Sequence, residues 1–488
     1  MTETQRKIGF LVCLVTIVLA VLDMQIVSAA TFPIVKDLDP EHGVAKVPWL
    51  VSAFSLASAA MLPLYGRLCD TLGAKRVFLG ALGTFLAGSA LCGAAQSIGW
   101  LIASRAVQGI GAGGLMSVTM VVIVQLKGPG DAKGKGAGTG GIVAGGGMAV
   151  GPWLGGFLAD HVSWRWAFYV NLPLGVAALA AAVYALKLPR HTTSRAIDFP
   201  GAALAAAFST TLLLVTEWGG KQYAWTSPQI LGLALVSAAA FALFLRRQST
   251  AAEPILPPSL FRVPELRLGF AIEALMGIAM TGAMYYVLIY LQLARGIASS
   301  SAGPFLIPMA VGMTVAGIAA GRLSDRGWSE RTFVISGSVI CTAAFLLLAT
   351  TGTRTALWQL CAALLLIGLG FGQFLGQLIQ LVQQKAPRHQ LGVATTAVRF
   401  FQTLGGALGA TLFGTLLGRL YDGPGDVGSL AALHGPARAQ GVTAYVSALD
   451  TVFLCGAGIM ALSLLLALRL PKARPVPEAE TARETVAA

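Results

Sequence analysis

Four charged residues of this chain lie well inside long apolar runs: Asp23, Arg105, Glu273 and Arg399. A charge in hydrocarbon is expensive and is retained where it pairs, titrates or faces a polar cavity. If the runs cross a bilayer, Asp23 and Arg105 lie about 12 Å and 10 Å from the same boundary, at 1.5 Å per helical residue. A carboxyl beside a guanidinium, both withdrawn from water, can tie proton uptake to the distance between the two groups. Glu273 would lie about 9 Å from the opposite boundary, with Arg399 at similar depth. Two readings stay open there: the two charges pair, or the glutamate reaches for the interface. All five histidines fall in loops or at the ends of runs. A proton path is therefore expected to rest on Asp23, Arg105 and Glu273.

A second group of residues is built for motion. Gly66-Arg67-Leu68-Cys69-Asp70 is followed by Gly73 and Arg76, and the turn recurs as Gly321-Arg322-Leu323-Ser324-Asp325. Glycine permits close chain approach, and Asp can accept bonds from arginine or from a helix N-terminus. Gly66, Arg67, Asp70, Gly73, Arg76 and Asp325 are expected to form a conformational latch. Further on, Gly147, Gly151 and Gly155 recur every four residues, with Pro152 and Gly156 among them. Such a row makes a smooth helix face for tight packing, and proline kinks it. Gln373 and Gln377 share a helix face, as do Tyr286 and Tyr290. Together with Gln108 and Arg399 they are expected to line a substrate cavity, helix packing being the plainer alternative.

The elements that must position these residues follow from composition. The 488 residues are 56 % hydrophobic and 11 % charged, with 59 glycines. A soluble domain has about 25 % charged residues, so a polytopic helical membrane protein is expected. Fourteen runs long enough to span begin near Ile8, Val47, Val77, Ile98, Gly136, Trp166, Phe199, Pro228, Leu268, Ala302, Thr332, Leu357, Val393 and Leu449. With the N-terminus inside, 24 of the 34 Lys and Arg face the cytoplasm and 8 face outward. That is the bias of the positive-inside rule, so the net charge of +13 orients the protein and does not point to nucleic acid. The six cysteines form no CxxC pair. Gly134-Lys135 departs from a phosphate-binding loop at Pro129 and Gly136. Neither a catalytic constellation, a metal site nor a cofactor is expected, and the protein is read as a non-enzyme.

The repeated turn, the fourth-span Arg105-Ala106-Val107-Gln108-Gly109 and the Gly-Pro row resemble motifs of the major facilitator superfamily. Ser163-Trp164-Arg165-Trp166-Ala167-Phe168-Tyr169-Val170-Asn171-Leu172-Pro173, Glu253-Pro254-Ile255-Leu256 and Leu391-Gly392-Val393 are similar to its fourteen-helix drug:proton antiporters, the EmrB/QacA group. The resemblance spans roughly residues 8–470. It implies an all-α integral membrane fold of two six-helix bundles plus two central insert helices. The expected units are 1–190, the insert and linker 191–265, the second bundle 266–470, and a cytoplasmic tail 471–488. It also implies the antiporter role of the Gly147–Gly156 row and a coupling role for Asp23. Gln125 and Gln402 depart from the group's pattern, and Glu273 has no counterpart in it. The expected function is proton-coupled efflux of amphipathic, aromatic or cationic drugs. The alternative is dedicated export of one natural product as self-resistance. The expected partners are a small-molecule substrate, protons and the lipid bilayer, with no nucleic acid. The protein is expected to be a monomer in a plasma membrane, a bacterial inner membrane, with both termini cytoplasmic.

Overall fold

A computed structural model of the chain describes residues 2–39, 46–126, 154–155, 157–158, 161–188, 197–220, 222–297, 303–425, 430 and 434–471. Thirteen helices among them are long and apolar enough to cross a membrane. In chain order these are α1 (Glu3–Leu38), α2 (Val47–Leu72), α3 (Ala74–Gly93), α4 (Ile98–Leu126), α5 (Asn171–Ala185, which spans together with the helical turn Trp166–Tyr169 before it), α6 (Phe199–Trp218) and α7 (Pro228–Thr250). They continue as α8 (Pro264–Leu293), α9 (Ile307–Asp325), α10 (Glu330–Leu348), α11 (Leu357–Lys385), α12 (Leu391–Leu420) and α13 (Gly435–Leu468). Each corresponds to one of the runs read from the sequence. The run expected from Gly136 lies almost wholly outside the described residues, and Gly147, Gly151, Pro152 and Gly156 lie outside them too. Gly155 is described, helical and buried.

Local chemistry sets several helix ends. Thr2 and Gln5 form a reciprocal capping box that starts α1. Asp198 and Ser227 cap α6 and α7, each followed by a proline in the first turn. One residue, Gly73, closes α2 and opens α3 at φ 87°, a conformation that a side chain would disfavour. We call the end of the bundle where α1 begins the near end, and the opposite end the far end.

Two helices run longer than their apolar stretches. α1 continues to Leu38, its far tip held by contacts of Asp37 described below, and α13 begins at Gly435. The last helix thus starts well before the last apolar run read from the sequence.

Packing falls into two large buried clusters. One draws on α1 to α5, with Phe78, Phe85 and Leu115 at its centre. The other draws on α8 to α13, with Phe371, Phe374 and Tyr445. The pair α6 and α7 joins them from outside. α6 packs against both α2 and α12, where Leu62, Phe208, Ala240, Phe400 and Leu404 form a small shared cluster. At the far end Trp218 of α6 meets Trp49 of α2 edge-on at 5.3 Å.

Candidate functional site

Asp23 is fully buried on α1, and both of its carboxylate oxygens are engaged. Arg105 of α4 donates through Nη1 to Oδ2 at 2.6 Å. Gln108, one turn along α4, donates through Nε2 to Oδ1 at 2.7 Å, and Asn171 of α5 donates to the same oxygen at 2.8 Å. Positions three apart share a helix face, so α4 presents Arg105 and Gln108 together. Gln108 also accepts from Arg105 at 2.6 Å and donates to Ser89 at 2.8 Å. Arg105 sends Nε to the Leu50 carbonyl at 3.1 Å and lies over the Phe54 ring at 4.2 Å. A buried ion pair holds only when hydrogen bonds satisfy its remaining polar atoms, and here three helices supply them. Gln108 was expected on the substrate cavity. Its amide is instead consumed by the pair, because the i, i+3 spacing aims it at Asp23.

The same signature segment secures the far end of α1. Trp164 and Arg165 donate to Asp37 at 2.9 and 2.8 Å, and Arg165 also reaches the Ala95 carbonyl. These two donors hold the Asp37 carboxyl below its usual range, with partial burial opposing them.

At the near end, Asp70 of α2 accepts the backbone N–H groups of Gly392 and Val393, at 2.8 and 3.0 Å. These belong to the first turn of α12, where N–H groups lack intrahelical acceptors and the helix dipole favours an anion. The approach requires glycine on both sides. A Cβ on Gly392 would stand 2.6 Å from Asp70 Oδ1 and from the Gly66 carbonyl, and one on Gly66 would stand 2.8 Å from Val393 Cα. Arg67, 1 % exposed, pairs with Glu253 of the segment after α7. Gly73 makes the turn, while Arg76 is exposed and outside these contacts. Asp325 ends α9 with Oδ1 buried and no hydrogen-bond partner among the described residues. The structure thus brings Gly66, Asp70 and Gly392 together and leaves Arg76 and Asp325 apart from them.

The expected substrate surface is rearranged. Tyr286 and Tyr290 are 4 % and 2 % exposed, inside the second packing cluster. Their hydroxyls donate to the carbonyls of Ala410 and Gly352, the bond a buried phenol needs. Gln373 accepts from Ser336 and donates to the Leu369 carbonyl at 3.1 Å. These three side chains serve packing here. Gln377 is 1 % exposed and has neither amide atom bonded. Glu273, 2 % exposed, is buried within the protein, and its Oε2 has no partner among the described residues. Arg399 donates to Gln402 at 2.9 Å, and among the described residues it forms no ion pair with Glu273.

Sequence reading missed Asn171, Ser89, Phe54, Gly392 and Glu253 as site residues. Asn171, Gly392 and Glu253 lie inside the signature segments, which was the available signal.

The sequence profile of the Major Facilitator Superfamily matches residues 13–410. The multidrug transporter protein MdtP of Bacillus subtilis is 33 % identical over 415 residues, covering 85 % of this chain and 76 % of that protein. The puromycin resistance protein pur8 of Streptomyces alboniger is 30 % identical over 495 residues, covering 99 % and 95 %. Among solved structures, the proton:xylose symporter XylE superposes with a TM-score of 0.67 at 14 % identity, covering 99 % of this chain and 100 % of that one. The human organic anion transporter MFSD10 gives 0.66 at 17 %, covering 96 % and 100 %. Both share the fold.

Proposed function

The chain belongs to the Major Facilitator Superfamily, and from that premise we propose that it is a proton-coupled efflux antiporter working by alternating access. The buried Asp23–Arg105 pair carries this reading. An ion pair sealed between α1 and α4 costs too much to serve as simple packing, and protonating the carboxylate would release the guanidinium. In the cycle, a proton from outside neutralises Asp23 and substrate leaves outward. Return to the inward-facing state delivers the proton to the cytoplasm. Glu273 is a second carboxylate able to take part. The near end is the cytoplasmic side, where Asp70 on the α12 N-terminus is the latch that opens and closes. Gly147, Gly151, Pro152, Gly155 and Gly156 supply the antiporter face.

The proposed substrates are amphipathic, aromatic or cationic drugs, in keeping with relatives named for multidrug transport and multidrug resistance. A second reading, export of one antibiotic, is favoured by the near full-length match to a puromycin resistance protein. Efflux of a chemically varied panel separates them: several unrelated scaffolds exported means multidrug transport, and one scaffold means dedicated export. For coupling, Asp23→Asn in proteoliposomes is expected to abolish efflux driven by a pH gradient. Retained coupling in that variant would overturn the assignment.

A further inference from the structure

We propose that Glu253 is the counter-ion through which the two-helix insert, α6 and α7, sets the closure of the near-end latch. One turn of α2 carries two contacts that lead to different parts of the chain. Asp70 holds the first turn of α12, and Arg67, three residues earlier, holds Glu253. A guanidinium only 1 % exposed is strongly unfavourable without a counter-charge. The described residues give Arg67 no other carboxylate within ion-pair distance. Its Nε stays without a partner, so the Nη2 contact to Glu253 bears the compensation.

Glu253 does not dangle from a free strand. The Leu256 N–H donates to Gln248 at the end of α7 at 2.8 Å. Arg247, beside it, donates to Asp198 at 2.9 Å, and Asp198 caps α6. α6 in turn packs across α2 and α12. A continuous set of contacts therefore runs from Arg67 through the linker and both insert helices to the α2–α12 seam. Opening the near end moves α2 away from α12 and breaks the Asp70 contacts. The Arg67–Glu253 pair keeps α2 tied to an element that also grips α12, and so favours the closed arrangement. Glu253 is a positioning residue: it acts on the latch through Arg67 and touches no substrate.

The inference rests on reading the Asp70 contact as a latch, and one assay tests both separately. Spin labels at the exposed near-end positions Lys187 and Lys385 report the separation of the two halves by pulsed EPR. The labels are placed in the full chain with Cys69, Cys361 and Cys455 replaced by serine. Measurement needs neither substrate nor a proton gradient. Glu253→Gln is expected to raise the open-to-closed ratio roughly tenfold, the range a modest bias in a two-state element produces. Glu253→Asp should keep the parent distribution, and the swap Arg67→Glu with Glu253→Arg should restore it. A parent-like distribution in Glu253→Gln overturns the proposal. So does a shift that the swap fails to reverse, or one equally large in Glu253→Asp. Asp70→Asn in the same assay tests the latch alone: an unchanged distribution there removes the latch reading whatever Glu253 does.

Discussion

Asn171 donates its side-chain amide to Oδ1 of Asp23 at 2.8 Å, from a helix 148 residues further along the chain. The bond engages the carboxylate oxygen that Arg105 does not reach and makes α5 a wall of the site. Asn171→Ala is expected to lower stability by about 1.5–3 kcal/mol, the worth of a hydrogen bond to a charged group. Arg105→Ala should cost more, about 3–5 kcal/mol, because it strands a buried carboxylate. Thermal unfolding in detergent ranks the two, and equal effects would mean that the pair is not the centre of the network.

Gly392 sits where a Cβ would press on Asp70, Gly66 and Cys69 at once. Gly392→Ala should push α12 from α2 at the near end and slow transport severalfold. Cys69, 5 % exposed beside Gly392, is a native reporter. Its alkylation by a membrane-impermeant maleimide applied at the near end should rise roughly tenfold, as expected if the open state gains that much population. An unchanged rate would mean that the seam absorbs the methyl group.

Asp37 gives a pH dependence whose sign can be worked out. Its folded-state pKa is lowered by Trp164 and Arg165. The resulting stability is present above the unfolded-state value of about 3.9 and is lost as pH falls through the folded value. Asp37→Asn is therefore expected to unfold at lower temperature than the parent at pH 7. The gap should close as the pH is taken below about 4. A gap that persists in acid would show that the two donors act through geometry alone.

Glu273 has no partner at Oε2 among the described residues, so Glu273→Gln loses no hydrogen bond there and removes a buried ionisable group. Thermal stability should stay level or rise, while efflux driven by a pH gradient falls. Because Glu273 and Arg399 form no ion pair, exchanging them should not recover transport. Recovery in the exchanged variant would show that they pair in another state of the cycle.

The helices were legible because hydrophobic length is a one-dimensional property, and thirteen runs map onto thirteen helices. Asp23 with Arg105 was legible for a related reason: equal depths along two spans bring scarce charges level. Rotation about the helix axis is not encoded that simply. Gln108, Tyr286 and Tyr290 were assigned to a cavity from their polarity, yet each found a partner within a packed interface. Asn171, Gly392 and Glu253 stood in recognised segments, but their roles depend on contacts between distant stretches. Gly392 acts through its backbone N–H, which any residue possesses. What marks it is the absence of a side chain where Asp70 arrives.

The placement of α6 over both α2 and α12 bears on how a lipophilic compound could approach from the bilayer. A molecule dissolved in the acyl chains on that flank meets the insert before it meets the junction of the halves. Lateral opening on that flank requires the insert to yield along with the α2–α12 seam.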